Sequence, residues 1–154
     1  EHLIPLTAQG ESATSSLDLD SFKMTQYEVA TICILFSASL TGDNVLTVNG
    51  GASAGTKTAA ATFTYALTSA APKNATADVL AADSTSSSLT LTAATYQGKV
   101  LVIQVDAQDM NISNITYDWV TVNLDGTAST ATVTAWAILT EPRYADDVSA
   151  TQIT

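Results

Sequence analysis

The side chains able to do acid–base or nucleophilic chemistry are few and scattered. The chain has one histidine (His2), one cysteine (Cys33), four glutamates and eleven aspartates. Proton transfer needs a His, Glu, Lys or Tyr held in place with a tuned pKa, and a cysteine nucleophile needs a base beside it. His2 lies at the N-terminus, thirty-one positions from Cys33. No G-x-S-x-G, H-E-x-x-H or C-x-x-C occurs, and a transition-metal site lacks its His and Cys ligands. A glycosidase needs two facing carboxylates, but nothing marks out any two of the aspartates. The expectation is a chain with no catalytic residue, no cofactor and no metal.

Four local features carry a sharper and a blander reading. Asp106, Asp109 and Asn111 gather in DAQDMN, but their spacing departs from the D-x-[DN]-x-[DN]-G calcium loop; acidic residues there fit the cap of a single helical turn. Asn49 to Gly55 is glycine-rich but lacks the GKS/T ending of a phosphate loop, and no helical pattern follows, so a flexible surface loop is expected. Cys33 lies inside an apolar run and reads as a small buried hydrophobe. Trp119 and Trp136 read as core packing, with a subunit contact or a sugar-stacking platform as alternatives. Three N-x-S/T triplets, at Asn74, Asn111 and Asn114, are expected by chance in a chain so rich in Ser and Thr.

The elements that would position these residues are strands. Val100 to Thr140 holds three in a row. Side chains alternate along a strand, which sets Leu101, Ile103 and Val105 against Val100 and Val102. In the next, Val120, Val122 and Leu124 oppose Trp119 and Thr121. In the third, Val133, Ala135, Ala137 and Leu139 oppose Thr134, Trp136 and Ile138. Tyr27 to Phe36 is apolar on both faces, which predicts a central strand covered on both sides. Further short strands fall at Leu17–Asp20, Val45–Val48, Thr62–Thr68 and around Leu89 and Leu91, with turns at 41–44 and at Gln97-Gly98. Residues 69–88 read as a long exposed excursion. Pro142 ends the last strand.

Strands recurring between Thr, Gly and Asn turns, with no amphipathic helix, predict an all-β, single-domain antiparallel β-sandwich or jelly-roll-like barrel. Its expected divisions are an extended N-terminal arm over 1–16, a sandwich domain over 17–140 and a C-terminal tail over 141–154. The 154 residues suffice for a core without staples, and a lone cysteine allows no internal disulfide. Charged residues are only 13% of the chain and the net charge is −10, with five basic residues that form no cluster. Phosphate neutralisation needs such a cluster, so neither nucleic acid nor an anionic membrane is an expected partner. No apolar run is long enough for a membrane helix, and the first residues lack the pattern of a signal peptide. The missing initiator Met predicts trimming of the N-terminus.

The C-terminal block resembles the head decoration, or capsid cement, proteins of tailed bacteriophages. The residues that carry this are the strand Val100 to Asp106, the turn DAQDMN, the following YDWVTVNL and the ending WAILTEPRYA, together with the strand, TGDN turn and LTV between Tyr27 and Val48. Residues 50 to 96 take no part in it. The resemblance implies a non-enzymatic protein on the outer capsid surface of a virion, assembled in the host cytoplasm. It would bind the major capsid protein and itself, as a homo-dimer or homo-trimer, and reinforce the shell. The candidate contact residues are Leu3, Ile4, Pro5 and Leu6 of the arm, Trp119, Trp136, and Pro142, Arg143 and Tyr144 of the ending. Arg143, alone among few basic residues, is expected to have a specific acidic or carbonyl partner. The rival readings are a carbohydrate-binding or adhesin module standing on the two tryptophans, and a pilus or surface-layer subunit.

Overall fold

The computed structural model describes residues 1–71, 75–126 and 130–143. In chain order the strands are β1 (His2–Pro5), β2 (Glu11–Ser12), β3 (Leu17–Asp18), β4 (Phe22–Lys23) and β5 (Tyr27–Phe36). They continue with β6 (Asn44–Gly51), β7 (Ala59–Ala60), β8 (Phe63–Leu67), β9 (Ser84–Ser86), β10 (Leu89–Leu91) and β11 (Val100–Asp106). Last come β12 (Asn111–Ile112), β13 (Ile115–Thr116), β14 (Trp119–Gly126) and β15 (Thr132–Pro142). One helical turn, Ala93–Tyr96, precedes β11, and one 3-10 turn, Ala107–Met110, follows it.

Two antiparallel sheets stack as a sandwich. The larger runs β1-β15-β5-β11-β8-β9, with β2 also on β15; the smaller runs β10-β6-β14-β3, with β4 on β14 and β7 on β6. The chain changes sheet repeatedly. The three C-terminal strands that follow one another in sequence lie in different layers: β11 and β15 flank β5, and β14 sits in the other sheet. Between the layers the inward residues form one core. Ile32, Ile34, Leu101, Ile103, Val105, Ala135, Ala137 and Leu139 from one side meet Leu46, Val48, Leu91, Val120, Val122 and Leu124 from the other, with Phe22, Tyr27 and Phe63 filling the ends.

The predicted alternations of Val100–Val105 and Val133–Leu139 hold residue for residue, the inward set fully buried and the outward set half-buried. Two expectations change. The N-terminal segment is no free arm but part of the domain. β1 pairs with β15 in the register Leu3↔Ile138 and Pro5↔Trp136, so Ile4 and Leu6 drop into the core. β2 follows it onto β15, and Ala13 is buried as well. Proline suits this position because β1 is an edge strand of the sheet. The second change is at the glycine run: β6 extends through Gly51, so its first residues belong to a strand. A Cβ on Gly50 would lie 2.9 Å from the Tyr117 side chain, which explains the glycine as a packing requirement. The C-terminal tail from residue 144 onward lies outside the described residues.

Candidate functional site

The two outer faces of the sandwich differ in kind. On the smaller sheet the outward residues are Val45, Thr47 and Asn49 of β6 and Trp119, Thr121, Asn123 and Asp125 of β14, brought opposite one another by the register Thr121↔Asn49, Asn123↔Thr47 and Asp125↔Val45. This face is polar and bonded to its own surroundings. Thr121 Oγ1 meets Ser21 Oγ at 2.7 Å, Asn49 Nδ2 donates to Thr47 Oγ1 at 2.9 Å, and Asn123 Nδ2 donates to Asp18 Oδ1 at 2.6 Å and to Ser16 Oγ. Trp119 is buried, with the Lys23 ammonium 5.0 Å from its ring centre. That is cation–π distance.

The central rows on the outer face of the larger sheet are uncharged, with apolar residues mixed with Thr and one Gln. One row across it reads Pro5, Trp136, Cys33, Val102, Ala66, from β1 through β8; the next reads Leu3, Ile138, Thr31, Gln104, Thr64; a third reads Thr134, Leu35, Val100. Leu3 is 63% exposed, whereas Trp136, Ile138, Cys33, Leu35, Val100 and Val102 are half-buried against one another. The sequence predicts that β5 is covered on both sides. It is indeed central, but Cys33 and Leu35 on its outer side are only half-buried, because β6, β10 and β14 all stack on the opposite face. At the end of this face an open groove of about 320 Å³ is lined by Leu35, Phe36, Ala38, Ala71, Thr134 and Gly10.

Charges stand at the two ends of the face. At one end are Asp106, Glu141 and Glu28, the last paired to Arg143 at 2.8 Å from Nε to Oε1. At the other, Lys99 precedes β11 and Glu11 lies on β2. Burial pushes the Cys33 thiol above its ordinary value.

The sequence-derived contact residues separate into groups. Leu3, Pro5 and Trp136 lie together on the apolar face. Ile4 and Leu6 are in the core and Trp119 is on the opposite side of the sandwich, so the two tryptophans form no shared platform. Pro142 closes β15 opposite Tyr27. Arg143 has the acidic partner expected of it, but that partner is Glu28 of the same chain, and its backbone N–H donates to the Gln26 carbonyl. Tyr144 lies outside the described residues. Residues that the sequence reading missed are Thr31, Cys33, Leu35, Val100 and Val102, whose outward parity in apolar strands was the available signal. The acidic turn after β11 is a helical turn closed by its own side chain, with the Asp106 N–H donating to Asp109 Oδ2 at 3.0 Å. Among the described residues no three His, Cys, Asp or Glu side chains are grouped as metal ligands.

Comparison with protein-family models, with curated proteins and with solved structures finds no match for this chain.

Proposed function

We propose that this protein is a structural, non-enzymatic component of a phage virion that binds the outside of an assembled capsid and reinforces it. The observation that supports this best is the uncharged, apolar outer face of the larger sheet, set against a polar and internally bonded face on the other side. A single-sided apolar sheet is a contact surface, since small proteins rarely leave a contiguous patch of that size to water. Thr, Val and Ala side chains lose little hydration on contact, and a subunit repeated over a lattice accumulates stabilisation from modest interfaces. The partners in this reading are the major capsid protein and further copies of the chain. The net charge of −10 suits the outer surface of a shell, away from packaged DNA.

The test is co-sedimentation with empty and with expanded capsids. Pelleting with shells and remaining in the supernatant without them is the expected result. A protein that stays in the supernatant beside shells refutes the proposal, and polymerisation without any capsid assigns the chain to a pilus or surface layer instead.

A further inference from the structure

We propose that the outer face of β1-β15-β5-β11-β8 is where a second copy of this chain docks, sheet against sheet, about a two-fold axis lying across the strands. The inference deepens the reading of this face as an assembly surface and rests on it to that extent, while requiring no capsid.

Three observations select a second copy as occupant. The first is charge. The chain carries −10 overall, so two copies repel at long range, and close approach adds least to that repulsion where the contact itself carries no charge. Among the described residues the rows through Leu3, Pro5, Thr134, Trp136, Ile138, Thr31, Cys33, Leu35, Val100 and Val102 contain no charged side chain. The second is size. Five strands at about 4.8 Å spacing and seven residues at about 3.3 Å rise give a flat footprint of roughly 500 Å². With side-chain relief and the groove beside Leu35 added, a sheet-on-sheet contact approaches the roughly 800 Å² per partner of a stable interface. The third is the arrangement of the ends. Asp106, Glu141 and the Glu28–Arg143 pair lie at one end, which is acidic by the first two, and Lys99 with Glu11 at the other. Turning one copy about an axis across the strands sets each acidic end over the other copy's balanced end, whereas a parallel stacking would lay acid on acid.

The segment 144–154 follows Arg143, whose pair with Glu28 is at the acidic end, and is the competing occupant. Its YADDVSATQIT sequence brings two aspartates and only three large apolar residues, on no single alternation, which is poor cover for a neutral sheet face.

The experiment is sedimentation velocity of the full chain from low to high micromolar concentration, with maleimide labelling of Cys33 in parallel. A dimer is expected, and the labelling rate of Cys33 falls as the dimer forms. Trp136→Glu and the smaller change Thr31→Lys each weaken self-association about tenfold or more, since each buries an unpaired charge in a neutral, desolvated contact. Thr47→Lys, on the opposite sheet, leaves it unchanged. The Thr31 variant keeps the test open should Trp136→Glu fail to fold, with circular dichroism as the check. A monomer throughout, a trimer, or a dimer indifferent to both substitutions overturns the proposal. A monomer whose Cys33 becomes reactive only after removal of residues 144–154 overturns it in favour of the tail. A dimer that ignores capsids leaves this inference standing and removes the cement function; a monomer that pellets with shells does the reverse.

Discussion

Tyr27 is the residue whose burial is hardest to explain by packing alone. It is fully buried and stacks on His2 with ring centres 6.2 Å apart, while its hydroxyl has no hydrogen-bond partner among the described residues. It also breaks the alternation of β5, since Val29 and Thr31 share its parity and point outward. Opposite this point the β15 backbone turns through Glu141, at φ 55°, before Pro142 pairs with Tyr27. An unpaired buried hydroxyl loses its hydration without return. Tyr27→Phe therefore retains the ring stacking and removes that cost, and is expected to raise the unfolding free energy by about 1 kcal/mol. Urea denaturation of the two proteins measures it; a loss of stability would mean that the hydroxyl is bonded. Arg143 and Glu28 show the opposite situation. Their forked pair is about two-fifths exposed on each side, so it fixes the end of β15 more than it stabilises the domain.

At the scale of elements, β1 decides whether the N-terminus belongs to the domain or to a neighbour. Its inward residue Ile4 is 0% exposed and its outward residue Leu3 is 63% exposed, one position apart. If β1 is part of the sandwich, Ile4→Ala opens a core cavity and costs about 2–5 kcal/mol, whereas Leu3→Ala costs well under 1 kcal/mol. Thermal unfolding of the pair of variants reads this directly, and equal small losses would restore the free arm. The period-two signal in His-Leu-Ile-Pro-Leu was present in the sequence. It was obscured because four residues ending in proline and followed by Gly10 carry the composition of a tail, and only pairing with β15, well over a hundred residues away, makes them a strand. β11, β14 and β15 were legible for the opposite reason, as each is long enough to display its alternation unaided. Their assignment to different sheets was not legible, since the order of strands depends on which distant edges meet and not on any local pattern. The candidate face was half legible: the sequence marks β5 as apolar on both sides, but only the topology shows that a single sheet covers it. The sequence assigns Leu3, Ile4, Pro5 and Leu6 alike to one arm; pairing with β15 divides them, Leu3 and Pro5 joining Trp136 on the face while Ile4 and Leu6 fall in the core.

For the whole molecule, the charge distribution and the apolar face make opposite demands, and ionic strength separates them. Two copies at −10 repel at long range whatever their orientation. The centre of the proposed contact contains no ion pair that salt could weaken, because its rows are neutral; the Glu28–Arg143 pair is internal to each chain, and Lys99 at the facing end is offset by Glu11. Raising ionic strength from about 0.01 M to about 0.15 M shortens the screening length from about 30 Å to about 8 Å, which removes most of the repulsion and leaves burial of apolar surface untouched. Self-association is therefore expected to strengthen with salt, as a dissociation constant that falls across that range in sedimentation equilibrium. An interface built on opposite charges would behave in the reverse sense. Dissociation promoted by salt would show that attraction between the acidic end and Lys99, and not burial of the apolar rows, holds the copies together.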